Sequence, residues 1–337
     1  MTISLLVSIL ATLPSSAISG LLLGVSSSSL MGLYLPERDV QAGTISFVDS
    51  AERRKNRVGR HLPTSGGLMR TLERAKKMEL EALQIFVSNP QSWAAPVERS
   101  EADDFVRGLR RLGISPAVAH AKYLINLSSR DEALRERSIR ALAFEMSAAG
   151  GLGLDLVVVH CGSHGGEGNE RALERLVEGL ERAREESLRL TPSPAGIAIE
   201  NSVGAGTQIC SSLPELALAA RRAHVGVCLD TAHAFAAGYD LSNAAAADRL
   251  AGEVRGLFDD SLALLHLNDA ANERGSHRDG HRRIGEGRVP LEAWRGLLAG
   301  LPGVPVVMET PYATPEVDAG QVRLVKRLAG ELPKEPG

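Results

Sequence analysis

A chain of 337 residues with 44% hydrophobic side chains has material for one large domain with a full core. Its formal net charge of -3 argues neither for nor against a nucleic-acid partner, since a local basic patch can coexist with it. The three cysteines, Cys161, Cys210 and Cys228, form no CxxC pair; this excludes a disulfide framework and a structural zinc finger, and it suits a reducing cytoplasm.

The first 36 residues carry no charged side chain. A secretory signal needs a basic start, and Met1-Thr-Ile-Ser-Leu5 has none. A membrane span needs about 20 unbroken apolar residues, whereas Pro14-Ser-Ser16 and Ser26-Ser-Ser-Ser29 interrupt the run. Arg53-Arg54-Lys55 could anchor a weak span on the cytoplasmic side. The favoured expectation for residues 1–56 is an extension outside the fold, with membrane anchoring second.

From Arg57 onward short apolar runs alternate with amphipathic stretches. The runs are Val58–Leu62, Leu83–Val87, Ala117–His120, Leu154–His160, Gly196–Glu200, Val225–Asp230, Leu262–Leu267 and Val304–Glu309, eight in all. Leu68, Leu72, Ala75 and Met78 recur at helical spacing between the first two runs, and Leu173, Leu176 and Leu180 do so after the fourth. Eight strand–helix alternations predict a (β/α)8 TIM barrel over residues 57–331, with the extra N-terminal segment before it and a tail at 332–337. An open doubly wound sheet is the alternative.

Candidate metal ligands fall at the ends of these runs. His120 ends the third and His160 the fourth; either alone would more often be a hydrogen-bonded core histidine. Glu200 ends Gly196-Ile-Ala-Ile-Glu200, and Glu309 ends Pro305-Val-Val-Met-Glu309. A carboxylate after such a strand is costly to bury unpaired, so it needs a cation, an arginine or a metal. Asp230 closes the sixth run with His233 three residues on, and His266 alternates with apolar neighbours in the seventh. Asp279-Gly280-His281 lies in the following loop, where on its own it would be an ordinary solvated turn.

Together these are nine imidazoles and carboxylates whose carrier strands a barrel would converge at one mouth. That donor type selects zinc, manganese or iron over magnesium or calcium. Nine ligands exceed one tetrahedral site and suit two or three ions, about 3.5–4 Å apart, clamping a phosphodiester. Ser202-Val-Gly-Ala-Gly206 lacks phosphate-loop spacing, and no Walker motif or Ser-His-Asp signature is present.

The ordered motifs His120-Ala-Lys-Tyr-Leu-Ile-Asn-Leu127, His160-Cys-Gly-Ser-His164, Glu200-Asn201, Gly226–Asp240, His266-Leu-Asn-Asp269, Asp279-Gly-His281 with Ile284-Gly-Glu-Gly287, and Glu309-Thr-Pro311 resemble endonuclease IV, the zinc-dependent apurinic/apyrimidinic endonuclease family. The resemblance implies a (β/α)8 barrel holding three Zn2+, with Mn2+ or Fe2+ as alternatives. His120, His160 and Glu200 would hold the first ion. Glu200 would bridge to a second completed by Asp230, His266 and Glu309. His233, Asp279 and His281 would hold the third. Glu200, Asp230 and Glu309 would be the catalytic carboxylates. The implied reaction is hydrolysis of the phosphodiester 5′ to an abasic site, leaving a 3′-hydroxyl and a 5′-deoxyribose phosphate, with cleaning of blocked 3′ ends.

The implied partner is double-stranded DNA with abasic or 3′-blocked sites, handled by a cytoplasmic monomer with no obligate protein partner. Tyr123 and Leu124 would fill the gap left by a flipped nucleotide. Gln91, where some members carry an arginine, and Trp93 lie in Asn89-Pro-Gln-Ser-Trp93, the second βα loop. Gly280 stands where an arginine is common, and Arg278, Arg282 and Arg283 could supply that phosphate contact. Cys161 stands in place of the usual proline, and the common glutamine after Glu200 is missing. The rival readings are a sugar isomerase or epimerase on a related barrel, which needs one divalent ion flanked by two carboxylates, and an inactive barrel that binds damaged DNA.

Overall fold

The computed structural model describes residues 55–330 apart from residue 98. The expectations for residues 1–54 and for the tail beyond residue 330 lie outside the described residues.

Eight parallel strands close into a barrel: β1 (Val58–His61), β2 (Ala82–Ile85), β3 (Ala117–His120), β4 (Leu156–His160), β5 (Gly196–Glu200), β6 (Gly226–Asp230), β7 (Leu262–His266) and β10 (Val306–Met308). Each strand pairs with the next in sequence, and β10 returns to β1 through Val58↔Val306. A two-residue antiparallel pair, β8 (Asp269–Ala270) with β9 (His281–Arg282), sits in the connection after β7. The expected barrel therefore forms and the open sheet does not. Several strands stop short of their apolar runs. Phe86 and Val87 lie beyond the ladder of β2, because their apolar character serves a cavity wall and the core rather than strand pairing.

The helices follow the strands: α1 (Leu68–Lys77), α2 (Ala102–Leu112), α3 (Glu132–Gly151), α4 (Asn169–Leu190), α5 (Leu213–Ala223), α6 (Thr231–Ala237), α7 (Ala244–Phe258), α8 (Leu291–Gly300) and α9 (Pro315–Leu328). Leu68, Leu72 and Ala75 of α1 are buried, as their spacing requires. Side-chain caps start several of them: Asp131 accepts from the Leu134 N–H, Asn243 from Ala246 and Thr314 from Val317.

Alternation along the strands divides the core in two. One set of side chains packs outward beneath the helices. The other, Ala82, Val118, Leu156, Val158, Ala198, Cys228, Ala263, Leu264 and Val307, forms a separate apolar cluster within the strand layer. Small residues recur in it, as a narrow barrel interior requires. Gly59 of β1 belongs to the same economy of space: a Cβ there would lie 2.0 Å from the Ala82 carbonyl oxygen. Asn56, assigned by sequence to the extension, is buried and donates to the Leu301 and Val304 carbonyls, so the barrel floor begins at or before it.

Candidate metal centre

The candidate ligands continue the inner row of each strand by one period. Val118 leads to His120, Val158 to His160, Ala198 to Glu200, Cys228 to Asp230, Leu264 to His266 and Val307 to Glu309, each two residues on. Register sets neighbours side by side: His160 pairs with Glu200 across β4–β5, and Asp230 with His266 across β6–β7. All six strand ends therefore deliver a donor to the C-terminal mouth of the barrel.

Glu200 is at the centre and fully buried. Its Oε2 lies 3.3 Å from His120 Nε2 and 3.7 Å from His160 Nδ1. Its Oε1 lies 2.8 Å from His266 Nδ1 and 3.6 Å from His233 Nδ1. Donor atoms of His120, His160 and Glu200 fall within 4.8 Å of one another, as do those of Glu200, Asp230, His266 and Glu309. Asp230, His233 and His281 form a further such group. Asp279, expected in that third set, is exposed, but its Oδ1 lies 3.4 Å from both His233 Nε2 and His281 Nε2.

Asp230 and His233 owe their placement to one helix start. The strand ends at Asp230, whose Oδ1 accepts the His233 N–H at 2.7 Å and caps α6. Three residues on, His233 lies one turn further along the helix. The cap leaves Oδ2 facing His281 Nε2 at 3.6 Å.

Backbone and amide partners fix which ring nitrogen of His120, His233 and His266 faces inward. His120 Nδ1 donates to the Ala121 carbonyl at 2.7 Å, which presents Nε2 to the site. His233 Nδ1 donates to the Asn201 carbonyl at 2.9 Å, again leaving Nε2 inward. His266 is reversed: its Nε2 donates to Gln84 Oε1 at 2.8 Å, so Nδ1 faces the carboxylates. Gln84 also donates to Glu309 Oε1 at 2.6 Å. Asn268 donates to Asp230 Oδ2 at 2.6 Å, and its Oδ1 accepts the Glu309 N–H at 2.7 Å. Asn201 accepts the Asp230 N–H at 2.7 Å and donates to the Asp230 carbonyl at 3.0 Å, adding one side-chain rung to the β5–β6 ladder. The fully buried Asp269 accepts from the N–H groups of Gly285, Gly287 and Val289, each at 3.0 Å, which pins the loop beyond β9.

The charges respond to this crowding. Burial opposes ionisation of Glu200, yet His266, His160 and His120 outweigh it and hold the carboxylate well below its usual range. Burial also opposes ionisation of Glu309, which His266 and His120 nevertheless bring down to about 2. For His233, burial is overcome by Asp230, Asp279 and Glu200, which push it up to about 10. Loss of solvent brings His160 down to about 4 and His61 to about 3, leaving both neutral. Burial pushes the Cys228 thiol, a neighbour of Glu200 and His266, up to about 12.

The donor set fits metal ions. Five imidazoles and four carboxylates converge, and among the described residues no lysine or arginine is a charge partner of Glu200, Asp230 or His266. His281 Nε2 is a buried nitrogen with no hydrogen-bond partner, directed at two carboxylates. An unpaired buried donor of this kind is costly unless something else occupies it.

Above the centre opens a cavity of about 540 Å³, lined by His61, His120, His160, His233 and His281 together with Phe86, Tyr123, Pro311 and Tyr312. Tyr123 is exposed at its edge. Gln91 and Arg282 are exposed, Trp93 and Leu124 are partly buried, and none of them lines this cavity. Trp93 carries the Arg137 guanidinium 4.7 Å above its ring. Arg278 borders a separate cavity with Asn272 and Arg288, while Arg283 pairs with Glu286 at 3.0 Å. Sequence reasoning passed over Gln84 and His61. Gln84 stands two residues after the inner-row Ala82, so its place in the alternation was the signal.

Fold and site together define a xylose isomerase-like TIM barrel with a histidine–carboxylate centre, and residues 72–328 match the family of that description. The probable endonuclease 4 of Cenarchaeum symbiosum is 38% identical over 287 residues, covering 81% of this chain and 99% of that protein. The endonuclease IV structure from Thermus thermophilus superposes with a TM-score of 0.70 at 33% identity, over 82% of this chain and 100% of that one. A D-tagatose 3-epimerase-like protein at 16% identity and TM-score 0.60, over 82% and 98% of the two chains, shares the fold. The chain belongs to the endonuclease IV family of endodeoxyribonucleases.

Proposed function

We propose that this DNA-repair endonuclease hydrolyses the phosphodiester 5′ to abasic sites, leaving a 3′-hydroxyl and a 5′-deoxyribose phosphate, and clears blocked 3′ ends. The observation that carries the reading is the convergence of nine donors around the buried Glu200 beneath an open cavity. Three Zn2+ would be held by His120, His160 and Glu200; by Glu200, Asp230, His266 and Glu309; and by His233, Asp279 and His281. When bound, such ions supply positive charge to the phosphodiester and acidity to the attacking water.

The protein's own groups do the rest. Glu200, Asp230 and Glu309 supply the carboxylates beneath the cavity; Gln84 holds Glu309, and Asn201 and Asn268 hold Asp230. Tyr123, with Leu124 behind it, enters the duplex where a nucleotide is flipped out. Gln91, Trp93, Arg278 and Arg282 meet the DNA outside the cavity, where phosphates run.

Residues 57–331 are the catalytic domain in this reading, acting as a cytoplasmic monomer. Among the described residues, no helix is long and apolar enough to cross a membrane. The epimerase alternative has the shared fold alone behind it.

The test is incision of a synthetic abasic duplex, with the product ends identified and elemental analysis run on the same preparation. Three ions per chain, and activity lost to a chelator and restored by Zn2+, are expected. One ion per chain with ketose epimerisation and no incision would replace the reading.

A further inference from the structure

Lys122 lies between Ala121 and Tyr123 and is 3% exposed. A lysine is rarely found so deep, because desolvating its ammonium is costly unless every donor is used. Here the donors are used across a gap. Nζ donates to the Ser92 carbonyl at 3.1 Å and to the Ala94 carbonyl at 2.8 Å. It also lies 3.4 Å from Glu145 Oε1 of α3, a carboxylate that accepts from the Ser88 hydroxyl. The neighbouring Tyr123 N–H donates to the Pro90 carbonyl at 3.1 Å.

The two carbonyls taken by Lys122 flank Trp93, and the ring of Trp93 packs under Arg137 of the same helix that supplies Glu145. Residues 88–94 have no strand or helix of their own to hold them. They are held instead by the buried Lys122 ammonium on the adjacent loop, together with the Tyr123 N–H on Pro90, Glu145 on Ser88 and Arg137 on Trp93. That adjacent loop carries Tyr123.

We propose that Lys122 is a positioning residue for DNA engagement: its buried ammonium locks residues 88–94 and 121–124 into one surface that offers Gln91, Trp93 and Tyr123 to the duplex in fixed relation. The proposal rests on the reading that this face meets abasic DNA. Pre-forming the surface removes the ordering cost that two independent loops would incur on binding. Lys122 does not line the cavity and donates to no candidate ligand, but the Ala121 carbonyl beside it receives His120 Nδ1, so metal content is read together with KM.

The test uses the metal-loaded full chain carrying Lys122→Met. A second variant, Lys122→Met/Glu145→Gln, removes both buried charges, so that folding does not hinge on an orphaned carboxylate. The chain has two tryptophans, and Trp294 is fully buried, so quenching of fluorescence by acrylamide reports on Trp93. Quenching should rise in the variants. KM for the abasic duplex should rise about tenfold, the equivalent of one or two lost hydrogen bonds, with kcat within about twofold and metal content unchanged. Unchanged quenching in the double variant overturns the clamp. Raised quenching with unchanged KM overturns its role in DNA engagement and leaves the clamp standing. A fall in kcat with metal loss places Lys122 in support of the metal centre and overturns the proposal. Failure of the wild-type protein to incise abasic DNA would defeat the functional reading itself, and the quenching arm would still report on the loops.

Discussion

Replacing Asn201 with alanine probes how the centre is held. The Asn201 amide is fully buried and satisfies both backbone groups of Asp230, accepting at 2.7 Å and donating at 3.0 Å. Truncation leaves the buried Asp230 N–H without its acceptor and takes one donor from the Asp230 carbonyl, which as the cap of α6 also receives the first hydrogen bond of the helix. An orphaned buried N–H costs about 1–3 kcal/mol and a lost hydrogen bond about 1 kcal/mol, so the variant should lose roughly 2–4 kcal/mol of stability. Asp230 both caps α6 and faces the site, so its displacement also moves His233. Loss of such a supporting contact typically weakens metal binding by about 10–100-fold. Equilibrium denaturation of the metal-free protein measures the first effect, and Zn2+ competition with a chromogenic chelator measures the second. Asn201→Asp should do no better, because it places an oxygen where the Asp230 carbonyl now receives a hydrogen. A variant within about 0.5 kcal/mol of the wild type, with unaltered Zn2+ retention, would refute the reasoning.

Glu200→Gln removes the one carboxylate that four imidazoles surround, and incision should fall by at least about a hundredfold, as losses of a central charge-stabilising group do; near-normal turnover would reject its central role. Zn2+ binding should release protons, because His266 and His120 are held above their ordinary range and His233 is pushed up to about 10, and each must deprotonate to ligate. Affinity should therefore rise with pH until those groups have lost their protons, and calorimetry in buffers of different ionisation enthalpy measures the release; a buffer-independent heat would contradict it. Gly287→Ala should loosen the loop beyond β9, since a Cβ there would lie 2.3 Å from Asp269 Oδ1 and 2.5 Å from the Ala270 carbonyl oxygen. Faster amide exchange at Gly285 and Val289 is the expected signature, and unchanged protection would show that the loop absorbs the methyl group.

The strand ends were legible because a buried carboxylate or imidazole after four apolar residues has few explanations. Asp230 with His233, and Glu200 at the close of Gly196–Glu200, announced themselves in this way, and the barrel brings them together. The polar scaffold was harder to read. Gln84 sits inside an apolar strand, and nothing local says that its amide spans from His266 to Glu309, which are far along the chain. Asn201 and Asn268 stood inside quoted motifs, but their partners lie across strand boundaries that only register fixes. Strand ends were overrun at Val87 because hydrophobicity marks burial rather than pairing, and β8 and β9 are too short to show any alternation. Lys122 stood unremarked inside the His120–Leu127 motif, since a charged residue next to a tyrosine gives no hint of the carbonyls that enclose it.

The inner-row placement of the ligands has one further consequence. Side chains on a strand change face with every residue, so a strand seated a single step out of place would turn Glu200 under the helices and bring Ile199 to the mouth in its stead. Six strands must each be in step before the donors meet. With the ions of the proposed centre, cation uptake would be a checksum on barrel closure: a misthreaded chain would hold a broken set of ligands, and only a faithfully wound one would take ions and be kept closed by them.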